Sequence, residues 1–283
     1  MTEGVLGIIL CPMLDDNFVY SVSKDPEEKN IFIVNDEHSS SIKRKLDNRG
    51  IPYTLVTWND VLGRIFEPPK GKFNILIHTI DLGLHSKPDV LKEKVEGLAI
   101  DMQPFVDAIA FYLGTCGNFE WDIPKWCREK GFKPSLMFTD ENGCLCHDCV
   151  GANISGGPRY AELQKAYTGH FYLFPAMANN FDEFIRADQA NTAAIEESLT
   201  DEMREILGIE KGPDGYLRWL LAQGDYKYLL TIDTGIGERD VFERDTKAVA
   251  ERTGLMIKEA EPGWANLGPT DAIYNGSKEL LSR

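Results

Sequence analysis

Short apolar runs rich in β-branched residues recur along the chain. Most are followed by a longer stretch in which apolar positions return every three or four residues. The runs at 5–10, 30–34, 54–57, 74–77, 108–113, 135–138, 170–174, 228–232 and 255–258 predict nine strands. Helices are expected at 40–48, 87–98, 120–130, 160–167, 193–207, 215–223 and 239–253. In the first of these Ile42 and Leu46 lie four apart, and Gly50 supplies a stop. Strands alternating with helices predict an α/β fold: a mostly parallel sheet, or sheets, with helices on both faces. The expected organisation is one α/β unit over residues 1–283. The polar helical stretch near 190–215 is either an insertion or an internal boundary between two Rossmann-like halves.

Composition narrows the function more than the fold. Thirty basic and 45 acidic residues give a net charge of −15. Nucleic acids and anionic membrane surfaces select basic patches, so neither is expected as a partner. A hydrophobic content of 43% with 10% aromatics suits a packed globular core. No run reaches the roughly 18–20 apolar residues of a membrane helix. The N-terminal segment carries Glu3 and only a short apolar run before Cys11, so it reads as a buried strand rather than a signal peptide. The expected location is the cytoplasm, where disulfides are rare.

The six cysteines therefore need another account. They are Cys11, Cys116, Cys127, Cys144, Cys146 and Cys149. Cys127 sits beside Trp126 in an amphipathic pattern and reads as a buried small hydrophobe. Cys11 ends an apolar strand, which fits either a core residue or a ligand. Cys116 lies in the turn Gly114-Thr115-Cys116-Gly117-Asn118, whose glycines could aim a thiolate into a cleft. The densest signal is Cys144-Leu145-Cys146-His147-Asp148-Cys149, in which Cys146 and Cys149 form a Cys-x-x-Cys pair. Thiolates at this spacing hold zinc or iron–sulfur clusters. No second local pair follows, so a four-ligand site would draw on distant residues such as Cys11 and Cys116. A redox dithiol and a purely structural cluster are the other readings. In parallel sheets ligands gather at the carboxyl ends of strands, and both Cys11 and Cys116 are expected there.

A second constellation is Asp233-Thr234-Gly235-Ile236-Gly237, between a strand and a helix, with Glu259 ending the next strand. It is a partial nucleotide or S-adenosylmethionine fingerprint, with Asp240 at the third glycine position. Glu238 and Asp240 make the following helix start a poor phosphate nest. His78 and His170 read as core or rim residues. No Walker A loop, His-Glu-x-x-His or Gly-x-Ser-x-Gly occurs, nor the Asp-x-His-x-x-Gly pattern of a corrinoid axial histidine.

Taken in order, the strand ending in Cys11, the Cys116-Gly117-Asn118 turn, Asp148-Cys149 followed by Tyr160, and Asp233-Thr234-Gly235 carry a resemblance. The chain resembles an uncharacterised cysteine-containing family of methanogenic archaea and anaerobic bacteria, often found beside corrinoid-dependent methyltransferases. The Gly-Ser of that pattern is replaced by Gly151-Ala152-Asn153-Ile154-Ser155-Gly156-Gly157. The resemblance implies that Cys11, Cys116 and Cys149 are the functional trio, with Cys144 and Cys146 as additions of this sequence. It also implies a corrinoid or methyltransferase protein as partner. Three functions are then expected in turn. The first is a 4Fe-4S protein of anaerobic methyl metabolism and methanogenesis, passing electrons or assisting as an accessory. The second is a zinc-thiolate methyltransferase-type enzyme. The third is a binding subunit using the Asp233–Gly237 segment. In the metal readings Cys11, Cys116 and Cys149 converge on one centre.

Overall fold

The computed structural model describes residues 1–118, 121–185, 195, 198–212 and 214–282. The chain divides into two compact units, one built from residues 1–160 and 266–283, the other from 161–265. The boundary expected near 190–215 falls partly on residues outside the described ones. Its described helix, Asp201–Leu207, belongs to the second unit.

The first unit holds a six-stranded parallel sheet. Its strands are β1 (Gly4–Leu10), β2 (Asn30–Val34), β3 (Thr54–Val56), β4 (Phe73–Thr79), β5 (Ala108–Tyr112) and β6 (Ser135–Met137), in the order β3-β2-β4-β1-β5-β6. All six match runs expected from the sequence. Alternation along β1 separates two cores. Leu6, Ile8 and Leu10 face one side with Ala108, Ala110 and Tyr112, against Phe18, Ile42 and Ile273 from the helices Asp15–Lys24, Ser40–Asn48 and Gly268–Leu281. Ile9, Ile109 and Phe111 face the other side, against Leu91, Val95 and Ile123 from Pro88–Met102 and Ile123–Glu129. Each fully buried Leu, Ile or Phe contributes about 1.5–3 kcal/mol relative to exposure. A sheet coated on both faces with apolar side chains must be covered by helices on both faces, as found.

The chain leaves β1 toward β2 and leaves β5 toward β6, which lie on opposite sides of the β1–β5 pair. Adjacent strands whose connections diverge open a crevice at their carboxyl ends. The adjacent strands β2 and β4 diverge in the same way, β2 leading to β3 and β4 to β5.

The helix Gly268–Leu281, which the apolar period does not predict, closes this unit. Tyr274 Oη donates to Asp25 Oδ2 at 2.8 Å, and Lys278 Nζ reaches Asp25 at 2.9 Å and Glu27 at 2.7 Å. Thr2 adds bonds to both oxygens of Glu27 from its backbone N–H and its hydroxyl. The Lys278 bond, opposed only by partial burial, pulls the Glu27 carboxyl down to about 2. Asp25 is pushed up by burial, but the bonds from Lys278, the Glu27 N–H and Tyr274 outweigh that and hold it below its usual value. Groups depressed in the folded state contribute stability above their unfolded pKa, about 4, and lose it as pH falls through the folded value. The midpoint of urea unfolding should thus hold steady down to about pH 4.5 and fall as pH approaches about 2. Lys278→Met should flatten this acid limb; an unchanged limb in the variant would count against the assignment.

The second unit carries a three-stranded parallel sheet in the order β7-β8-β9, from β7 (His170–Leu173), β8 (Tyr228–Thr231) and β9 (Met256–Glu259). The helices Gly215–Gln223 and Arg239–Thr253 occupy the residues expected for them. Arg252 ties this unit together through Asp182 and Asp214. Among the described residues no helix is long and apolar enough to cross a membrane.

Candidate metal centre

Three segments of the first unit bring cysteines to the β1–β5 crevice. β1 ends at Leu10, and the Cys11 N–H donates to Tyr112 O of β5 at 2.9 Å, which pins Cys11 between the two strand ends. Pro12 then opens a short 3-10 turn, and Leu14 N–H returns to Cys11 O at 2.9 Å.

The second segment leaves β5 through Gly114-Thr115-Cys116-Gly117. A Cβ on Gly114 would lie 2.6 Å from Asp148 Cα and 2.8 Å from His147 O, so only glycine lets the two backbones meet. The Cys116 N–H donates to His147 O at 2.9 Å, and Thr115 Oγ1 lies 3.2 Å from His147 Nδ1. Cys116 itself is held at φ 43°, in the left-handed region that costs a β-carbon residue about 1 kcal/mol or more. Such strain persists only where the surroundings impose it, and Gly117 at φ 91° continues the turn. Asn118 Nδ2 clamps the turn by donating to Pro88 O at 2.8 Å and Thr115 O at 3.1 Å.

The third segment follows β6. Asp140 Oδ1 accepts from the N–H groups of Asn142 and Cys144, both at 2.9 Å, and Cys146 N–H donates to Phe138 O at 2.9 Å. Residues 139–145 therefore double back on themselves. Gly156 lies directly beneath, where a Cβ would sit 2.5 Å from Asp140 Cβ. Asp148 Oδ1 then caps the helix Cys149–Ile154 by accepting from Gly151 N–H at 2.6 Å.

The sequence grouped Cys144, Cys146 and Cys149, whereas the fold sends them in three directions. Cys144 is exposed on the turn. Cys146 is fully buried in the aliphatic core with Phe138 and Ala152. Cys149 opens a helix and lies near Cys11 and Cys116. Burial first, then the charges of Asp148, Cys11 and Cys116, push the Cys149 thiol well above its usual pKa. Cys116 is pushed up to about 12 by burial and Asp148. Cys146 also rises to about 12, from burial and then Asp140 and Asp148. Three thiols gathered in this way repel one another once ionised, and a cation is what stabilises the thiolates. Among the described residues no three cysteine sulfurs lie all within 4.8 Å of one another. A single zinc bonded at about 2.3 Å would hold its sulfurs about 3.8 Å apart. Cys127 is fully buried, as its helical pattern implies.

Sequence reasoning missed the polar layer beside this crevice. Asp15, Asp16 and Asn17 follow Cys11 in the next helix and are all buried, as is Lys45. Lys45 Nζ contacts Asp15 Oδ1 at 2.5 Å and Asp16 Oδ1 at 2.8 Å, and Ser41 Oγ donates to Asp15 Oδ2 at 2.6 Å. Asn17 Nδ2 bonds Asn153 Oδ1 at 3.0 Å and Thr270 Oγ1 at 2.8 Å, and Asn153 Nδ2 donates to Cys149 O at 2.8 Å. This chain of amides fixes the backbone of Cys149 to the helix that follows Cys11. An acidic pair opening a helix is visible in sequence, but its burial is not.

Asp233, Thr234 and Gly235 lie elsewhere, lining a cavity at the carboxyl ends of β8 and β9, while Gly237 lies outside that lining. His78 is partly buried against Trp58, with Nε2 3.4 Å from Asp36, and His170 is buried with Nδ1 2.8 Å from Thr168 O. Both fit the core or rim roles expected of them.

No curated protein and no solved structure matches the chain. One family model does match, over residues 79–269, and it is described as "Protein of unknown function (DUF1638)". The match spans Cys116, Cys149 and the β8–β9 cavity and begins after Cys11. It covers well over half of the chain, so the protein belongs to the DUF1638 family.

Proposed function

We propose that the protein is a thiolate-held metalloprotein in which Cys11, Cys116 and Cys149 bind one 4Fe-4S cluster. The observation that carries this reading is that Cys11, at the end of β1, and Cys116, after β5, lie near enough to Cys149 for their charges to act on its thiol. Three thiolates leave one iron of such a cluster without a cysteine, so the group would supply either a Lewis-acid position or an electron-transfer centre. The chain's own part is to hold the thiols in place. Gly114 admits the close approach, the strained Cys116 turn aims one thiol, and Asn153 with Asn17 steadies the backbone at Cys149.

The resemblance of the sequence supports a setting in anaerobic methyl metabolism, with a corrinoid or methyltransferase protein as partner. A net charge of −15 favours a partner with a basic face and disfavours nucleic acid. A reduced cluster also suits the reducing cytoplasm.

Anaerobic purification followed by metal and sulfide analysis tests the reading. The expected product is brown and carries about four iron and four sulfide per chain. A colourless protein with stoichiometric zinc would replace the cluster by a zinc-thiolate site, and one with neither metal would refute both.

A further inference from the structure

The second unit contains a cavity of about 720 Å³ that the metal reading does not use. It opens at the carboxyl ends of β8 and β9, with Asp233 two residues past β8 and Glu259 as the last residue of β9. This volume falls in the range of small-molecule sites. The floor is apolar, from Ile232 and Phe242, and Trp264 forms an aromatic wall. The Trp264 ring packs edge-on against Tyr167 with centroids 6.1 Å apart, and Tyr167 Oη accepts from Glu261 N–H at 3.0 Å. Both contacts hold the wall in position.

The charges around the rim decide what can enter. Four carboxylates, from Asp233, Glu243, Glu259 and Glu261, stand against the two cations of Arg239 and Lys247. Arg239 is committed to Glu243 at 3.1 Å, and Asp233 Oδ1 already accepts from Gly235 N–H at 2.8 Å. The Glu259 side chain makes no hydrogen bond among the described residues, although Arg239 lies near enough to feel its charge, so its carboxylate can accept from a ligand. Thr246 also belongs to the lining, with its hydroxyl buried and without a hydrogen-bond partner. A phosphate would meet four carboxylates against two cations, and one of those cations, Arg239, is already paired with Glu243. A ligand with an aromatic face and paired hydroxyl donors meets the groups it needs.

We infer that this cavity binds an unphosphorylated purine nucleoside, with the base against Trp264 and Phe242 and the ribose diol donating to Glu259. A carboxylate accepting both hydroxyls of a ribose at the end of a parallel strand is a known solution to diol recognition. Here the same edge lacks the phosphate nest that usually accompanies it. The site lies within residues 161–265, so it stands or falls independently of the cysteine centre.

Equilibrium dialysis of the full chain against adenosine, guanosine, ATP and 2′,3′-dideoxyadenosine tests this. Saturable binding of adenosine or guanosine is expected, with ATP and the dideoxy analogue each weaker by about tenfold or more. Glu259→Gln, on an exposed edge strand, should weaken the parent nucleoside about tenfold and leave the dideoxy analogue unchanged. Trp264→Ala should weaken both. The inference is overturned if neither nucleoside binds below about 1 mM, if ATP binds as tightly as adenosine, or if Glu259→Gln changes nothing.

Discussion

Cys116→Ala is expected to lose essentially all bound iron and all colour, and Cys11→Ala and Cys149→Ala to do the same. Cys127→Ala and Cys144→Ala should keep the full complement. Cys127 lies in the helical core and Cys144 points to solvent, so neither can reach the crevice. Cys116→Gly separates metal loss from misfolding, because glycine adopts φ 43° without strain and should fold at least as well as the parent. Gly114→Ala is the sharper variant. It retains every thiol, yet its Cβ collides with the backbone at His147 and Asp148 and so moves Cys116 away from Cys149. Iron per chain should fall below about a tenth of the wild-type value in each ligand variant. Retention of iron in Cys116→Gly or Cys149→Ala would remove that residue from the site.

The second large effect concerns stability. Lys45→Met should destabilise the first unit by about 3–5 kcal/mol at neutral pH, because it leaves Asp15 and Asp16 buried without a cation. Burial lowers the pKa of Lys45, but the two aspartates outweigh it and hold the ammonium charged above its usual range. A group raised in the folded state contributes fully below its unfolded pKa and loses that contribution as pH rises through the folded one. The Asp16 carboxyl is pushed up, by burial first, and the Lys45 charge only partly opposes this. Without Lys45 the Asp16 carboxyl takes up a proton more readily still, so the deficit of the variant should shrink as pH falls. Replacing all three groups together, with Asp15→Asn and Asp16→Asn added, should recover most of the loss. Urea unfolding at several pH values measures this, and a deficit under about 1 kcal/mol at pH 7 would contradict it.

How much of this could be read from sequence follows from particular residues. The strands were legible because apolar runs such as Asn30–Val34 and Ala108–Tyr112 end in turn residues; both faces of Ala108–Tyr112 are buried, whereas Met256–Glu259 is exposed throughout. The helices Ser40–Asn48 and Arg239–Thr253 were legible from their period. The helix Asp15–Lys24 was not, because Asp15, Asp16, Asn17 and Ser21 face inward and break the apolar stripe. Gly268–Leu281 was hidden for a similar reason: Thr270 and Ser277 are buried on its inner face, and Gly276 sits within it. At the candidate site, the strand-end positions of Cys11 and Cys116 followed from the α/β pattern. The separation of Cys144, Cys146 and Cys149 did not, because it depends on the turn that Asp140 organises and on the approach that Gly114 permits. Local spacing reports neither.

The most direct test of the shared centre is thiol labelling of the anaerobically purified protein, read by mass spectrometry before and after iron is removed with a chelator. Cys11, Cys116 and Cys149 should resist alkylation while iron is bound and become reactive together as it leaves, with exposed Cys144 labelled throughout. Labelling of those three that is the same with and without iron, or release of iron that leaves any one of them unchanged, would contradict a cluster held by this trio.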